Sequence, residues 1–165
     1  QDVFKSKALK KIIDPGNYIL INDKETEMGN LFHLFMSNIE YSNQINRVKH
    51  DFLLDESISK NHVMKIFNMA KKVINKSDLK PFFTKDYEIT CEKEIFNENK
   101  EILIPDRIMF DNNQKATIID YKTGEPRKSD LIQVGKYKFT LQKMGINVDK
   151  ALLVYVGSSI EVVSV

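Results

Sequence analysis

A chain of 165 residues, 42% of them hydrophobic, is long enough to bury one core and too short for two, so a single α/β or α+β domain is expected. Its 25 Lys and Arg against 23 Asp and Glu leave a formal charge of +2, which does not announce a polyanion partner; any nucleic-acid surface has to be a local patch. One cysteine, Cys91, excludes an internal disulfide framework, a four-thiolate zinc site and a four-cysteine iron–sulfur cluster, and there is no apolar run of about 18 residues to cross a membrane. The setting Tyr87-x-Ile89-x-Cys91 reads as a buried strand thiol in a reducing compartment. The start, Gln1-Asp2-Val3-Phe4, has neither a signal-peptide core nor an initiator methionine, which suggests a soluble piece cut from a longer chain.

The first stretch interleaves Lys5, Lys7, Lys10 and Lys11 with Val3, Phe4, Leu9 and Ile12, as in a short amphipathic helix or a surface arm, and Asp14-Pro15-Gly16 ends it in a turn. A short extended piece, Tyr18 to Ile21, follows. From about Thr26, with Asp23 or Thr26 as cap, Met28, Leu31, Phe32, Phe35 and Ile39 recur at helical spacing. Ser42 to Leu54 is also expected to be helical. Ser57 to Lys76 is a further helix, with Val63, Ile66, Phe67, Ala70, Val73 and Ile74 inward and Lys65, Lys71, Lys72 and Lys76 on a solvated face.

After Pro81 the period changes. Asp86 to Phe96, Glu101 to Asp111 and Lys115 to Thr123 read as three consecutive strands, the last two joined at Asn112-Asn113-Gln114. A helix from about Ser129 to Met144 stops at Gly145, the apolar run Ala151 to Val156 predicts a central strand, and Ile160 to Val165 predicts an edge strand.

Chemistry concentrates in the strand region. On an alternating strand Asp106 shares a face with Ile102, Ile104, Ile108 and Phe110, and a carboxylate pressed into apolar company needs a cation or a donor. A salt bridge is the bland solution; a metal is the sharp one. Asp120 and Lys122, two residues apart on the next strand, project to one side together with Ala116 and Ile118. Asp-x-Lys alone is common. Two acids on neighbouring strands with one lysine are nevertheless a minimal set for phosphodiester hydrolysis, in which carboxylates hold a divalent cation and the ammonium meets charge developing on the phosphate.

For the two acids to share a face across a hairpin, their pairing must be in phase. A two-residue turn at Asn112-Asn113 would pair Asp106 with Ile119 and send Asp120 to the other side, so a three-residue turn over Asn112 to Gln114, or a bulge, is expected. On the helix that follows, Gln133 and Tyr137 stand four apart and can reach one target, though the same spacing also suits an ordinary surface pair.

Taken in order, Gly29-x-x-x-His33, Ile104-Pro105-Asp106-Arg107-Ile108, Ile118-Ile119-Asp120-Tyr121-Lys122-Thr123-Gly124 and Gln133-x-x-x-Tyr137 resemble the motifs of the P-D-(D/E)-x-K nuclease domain at the C-terminus of RecB-like and AddA-like helicase-nucleases. The resemblance implies an α/β fold with a restriction-endonuclease-like core: a central mixed sheet of about five strands flanked by helices, with an added N-terminal helical region. It implies one domain over 1–165, the mainly helical 1–85 carrying the histidine and 86–165 the sheet with the other motifs. His33, Asp106, Asp120 and the Tyr121 carbonyl would hold Mg²⁺ or Mn²⁺, the imidazole suiting Mn²⁺ somewhat better, with Asp106, Asp120 and Lys122 catalytic. Gln133 and Tyr137 would support the site and contact DNA.

Glu94 stands where relatives often carry a glutamate, although Glu92, Glu98 and Glu101 leave the register open. Arg107, Arg127 and Lys128 flank the motifs as phosphate-holding candidates. Histidines 50 and 62 have no such company. By the same resemblance the partners are single-stranded or unwound DNA and a helicase motor in the parent chain or complex, in the cytoplasm of a bacterial type of cell and near the nucleoid. No phosphate-binding loop occurs here, so a motor has to lie elsewhere. The competing reading is a noncatalytic DNA-binding or docking module on a retained nuclease fold, which loss of a ligand or of the lysine would have marked.

Overall fold

The computed structural model describes residues 24–165. The N-terminal amphipathic stretch, the turn at Asp14, the extended piece over Tyr18 to Ile21 and the Asp23 cap lie outside the described residues. Helix α1, Lys24–Ser37, already contains Thr26, so Thr26 is not its cap. Leu31, Phe32, Phe35 and Met36 bury its inner face, and the Ser37 hydroxyl (2.8 Å) and the Asn38 amide (2.7 Å) both donate to the Leu34 carbonyl, satisfying an end that the backbone leaves open. A 3-10 turn, Ser42–Gln44, leads into α2, Ile45–Leu53. Ser59 caps α3, Lys60–Asn75, by accepting from the His62 amide, and Val63, Ile66, Ala70, Val73 and Ile74 face inward as their spacing predicts. A second 3-10 turn, Lys80–Phe83, contains Pro81 and buries Phe82 and Phe83.

The next two expected strands are each interrupted. The first divides into β1, Glu88–Cys91, and β2, Ile95–Phe96; the second into β3, Ile102–Leu103, and β4, Arg107–Phe110. Both breaks have local causes. Glu92 takes a left-handed backbone (φ 53°), while Pro105 has no N–H to give a ladder. Strands β2 and β3 pair only with each other, as a small separate hairpin.

Strand β5, Ala116–Lys122, then α4, Lys128–Lys143, and β6, Val148–Val156, form a parallel crossover, and β7, Ile160–Ser164, returns along the edge. Gly145 (φ 83°) supplies the left-handed residue just past α4. The main sheet is mixed and five-stranded, in the order β1-β4-β5-β6-β7.

Alternation along the strands splits the interior into two layers. Met109, Ile119, Tyr121, Leu152 and Val154 pack with α1, α2 and α3 on one face. On the other, Ile108, Ile118, Ala151 and Leu153 meet Val134, Tyr137 and Leu141 of α4. Covered on both sides, β5 is buried from Ala116 to Tyr121, so the candidate residues it carries are held on a packed element.

Candidate functional site

The β4–β5 hairpin sets the geometry. Pairing runs Phe110 with Ala116, Met109 with Thr117, Ile108 with Ile118 and Arg107 with Ile119. Beyond that last pair stand Asp120, within β5, and Asp106, one residue before β4, near enough for the Asp106 charge to act on Asp120. The phase comes from a three-residue loop over 112–114. Asp111 N–H donates to the Lys115 carbonyl at 3.0 Å, Gln114 N–H donates to the Asp111 carbonyl at 2.9 Å, and Gln114 takes the left-handed conformation (φ 60°) that such a loop needs.

Asp106 lies one residue before β4, where Pro105 has ended main-chain pairing. Its side chain takes over: Oδ2 accepts from the Tyr121 N–H at 2.7 Å. Oδ1 lies 3.0 Å from His33 Nδ1. Helix α1 thus delivers His33 to the acidic strand 73 residues further along the chain. Gly29, one turn earlier, permits the approach, because a Cβ there would stand 2.8 Å from Thr123 Oγ1 at the end of β5.

Asp120 is almost fully buried (2% exposed) and has the Lys122 ammonium 2.8 Å from Oδ2. That ammonium is the group Oδ2 is paired with. Burial, and then the neighbouring Asp106 charge, push the Asp120 carboxyl up to about 6; Lys122 and His33 pull it part of the way back. For His33 burial alone favours the neutral ring. The hydrogen bond and charge of Asp106, with the charge of Asp120, outweigh it and raise the imidazole above its ordinary value.

Lys122 also donates to Gln133 Oε1 at 2.7 Å, which fixes the ammonium between β5 and α4. One turn along α4, Tyr137 is buried and its hydroxyl donates to the Ile104 carbonyl at 3.4 Å, just upstream of Pro105. The pair expected four residues apart therefore braces both the lysine and the acidic strand. Tyr121 contributes its N–H. Its ring turns to the other face, where Phe32 lies edge-on at 5.8 Å and the hydroxyl is buried without a hydrogen bond.

Glu94, the expected supporting glutamate, is exposed in the segment between β1 and β2. Glu92 takes that place: donor atoms of His33, Glu92 and Asp106 all lie within 4.8 Å of one another. The left-handed backbone at Glu92, with its N–H donating to the Asp106 carbonyl at 3.1 Å, turns the chain out of β1 beside Asp106. No sequence signal distinguished it from its neighbours, because alternation assumes that the strand continues.

Arg107 does not face a phosphate. It is 1% exposed, on the face opposite Asp106, and its guanidinium is occupied by main-chain carbonyls of Ile39, Glu40 and Phe82. Arg127 and Lys128 are exposed where α4 begins, and the Arg127 N–H donates to Asp130.

The donor set fits a hard or borderline divalent cation. One imidazole and two carboxylates, from His33, Glu92 and Asp106, form the candidate group, while Asp120 lies outside it, paired with Lys122. The chain matches no protein-family model and no curated protein sequence.

Proposed function

We propose that this chain is a divalent-metal-dependent DNA nuclease domain of the P-D-(D/E)-x-K type, built on a restriction-endonuclease-like core. The observation that carries this reading is the gathering of Asp106 and Asp120 at one end of the β4–β5 hairpin, with Lys122 against Asp120 and His33 against Asp106. A structural salt bridge would need one acid and one cation. Here the nearby Asp106 charge adds to burial in pushing the Asp120 carboxyl up, a cost that a divalent cation would remove.

His33, Asp106 and Asp120 would hold the cation, with Glu92 beside them and the Tyr121 carbonyl as a main-chain candidate. When bound, Mg²⁺ or Mn²⁺ supplies Lewis-acid polarisation of a phosphodiester and a water acidic enough to attack it. The rest falls to the protein. Lys122, aimed by Gln133, places a fixed positive charge where negative charge grows on the phosphate. Tyr121 N–H and His33 hold the Asp106 carboxylate in one orientation. Asp120 is buried while Lys122 and His33 stay about a quarter exposed, so these charges interact more strongly than they would in bulk water.

The motif order further suggests single-stranded or unwound DNA as substrate, a helicase motor in the same parent chain or complex as partner, and work in the cytoplasm near the nucleoid. The deciding assay incubates the purified protein with labelled single-stranded DNA and Mn²⁺ or Mg²⁺, alongside Asp120→Ala. Metal-dependent cleavage lost in the variant supports the reading. DNA binding without cleavage, even in Mn²⁺ and with a motor domain joined to it, would make the chain a binding module instead.

A further inference from the structure

Arg107 buries a full positive charge in the layer between the sheet and α1, and its bonds show what that charge does there. All five guanidinium N–H groups are directed at specific partners. One Nη1 bond goes to the Ile39 carbonyl (2.7 Å) and a longer one to Cys91 Sγ (3.8 Å); Nη2 reaches the Glu40 (2.6 Å) and Phe82 (3.0 Å) carbonyls; Nε points at Met109 Sδ (3.3 Å). The plane of the group also stacks over Phe83, 4.3 Å from the ring centre.

Each partner sits next to a segment that carries a donor of the candidate metal group. Ile39 and Glu40 follow the end of α1, the helix of His33. Phe82 belongs to the turn that leads to β1, and Cys91 is the last residue of β1, immediately before Glu92. Arg107 itself follows Asp106.

We propose that Arg107 is a positioning residue that sets the spacing of the His33, Glu92 and Asp106 donors, by tying to one planar group the three chain segments that carry them. The inference rests on the nuclease reading for the purpose of those donors, and on geometry alone for how they are held. Arginine is the side chain the task requires. Its forked donors span three carbonyls in different directions, whereas a lysine ammonium at the same depth offers three N–H bonds from a single atom and cannot reach all of them. The negative end of α1 adds to the stabilisation of the buried charge.

The test compares Mn²⁺ affinity, by calorimetry on the whole 165-residue chain, among wild type, Arg107→Lys and Ile66→Ala. Ile66 is a fully buried residue of α3, and its truncation controls for general loosening. Arg107→Lys is expected to bind Mn²⁺ about ten- to a hundredfold more weakly, the loss typical of groups that orient metal ligands, while Ile66→Ala loses stability but keeps its affinity. Arg107→Lys that folds and retains wild-type affinity overturns the proposal. So does an equal loss of affinity in both variants. If Arg107→Lys does not fold, Arg107→Gln is measured in its place; if neither folds in millimolar Mn²⁺, Arg107 is a determinant of the fold alone and the proposal is rejected. Wild-type protein that binds no Mn²⁺ removes the nuclease reading as well, whereas failure of Arg107→Lys alone leaves that reading standing.

Discussion

At the scale of single residues, Lys122 separates an enzyme from a binding surface. Its ammonium touches Asp120 and Gln133 and is not itself a metal donor, so under the proposed nuclease reading its charge would matter most where negative charge accumulates in the transition state. Lys122→Ala is expected to bind Mn²⁺ and single-stranded DNA nearly as wild type does while cutting about a hundredfold more slowly or worse, as measured by single-turnover cleavage. Equal cutting rates would make Lys122 an ordinary surface lysine. Asp120 gives a prediction in pH. Its carboxyl titrates at about 6 in the fold against 3.8 when unperturbed, so between those values the folded chain holds a proton that the unfolded chain has released. The Asp120 contribution to metal-free stability therefore falls as pH rises from about 4 to 6, and the raised His33 acts in the same sense at its own higher range. Thermal melts in chelator across this window should show a smaller decline in Asp120→Asn than in wild type; identical profiles would refute the assignment.

The next scale is that of elements. Gly29 lets α1 touch the end of β5, and a methyl there would meet Thr123 Oγ1 at 2.8 Å. Alanine gains about 1 kcal/mol of helix propensity, while overpacking of this kind costs about 1–3 kcal/mol, so the helix is expected to shift and carry His33 with it. Gly29→Ala should weaken Mn²⁺ binding, and adding Thr123→Ala should restore it; a Gly29→Ala protein with unchanged affinity would show that the contact yields freely. In the hairpin, Gln114 bears a left-handed backbone at a cost of about 1–2 kcal/mol for a residue with a Cβ. Gln114→Gly should raise the melting temperature by a few degrees and leave metal binding alone, because the loop length and so the phase of the aspartates are kept. Deleting Gln114 instead makes a two-residue turn, which should abolish Mn²⁺ binding.

For the whole molecule, the cation and the fold are expected to be linked. Donors drawn from α1, from the chain after β1 and from the β4–β5 hairpin come together only in the native state, so Mn²⁺ should raise the melting temperature of wild type and have little effect on Asp120→Ala. An equal rise in both would place the cation elsewhere. How much of this was legible in the chain follows from the range of the forces involved. Helical spacing in α1, α3 and α4, the glycine after α4, the apolar run of β6 and the three-residue loop before β5 are local properties, set by periodicity and turn geometry within a few residues. So was the phase of the β4–β5 hairpin, since its register depends on loop length. Sequence by itself thus determined the α/β class, the helices and the β5 and β6 strands, but not the breaks after Cys91 and Leu103. Tertiary structure decided the rest. Arg107 proved to be buried among carbonyls because its strand face meets α1, and Glu92 rather than Glu94 came beside His33 and Asp106 because the backbone turns left-handed where β1 ends. Both outcomes depend on segments distant in sequence meeting in space, which no local period encodes.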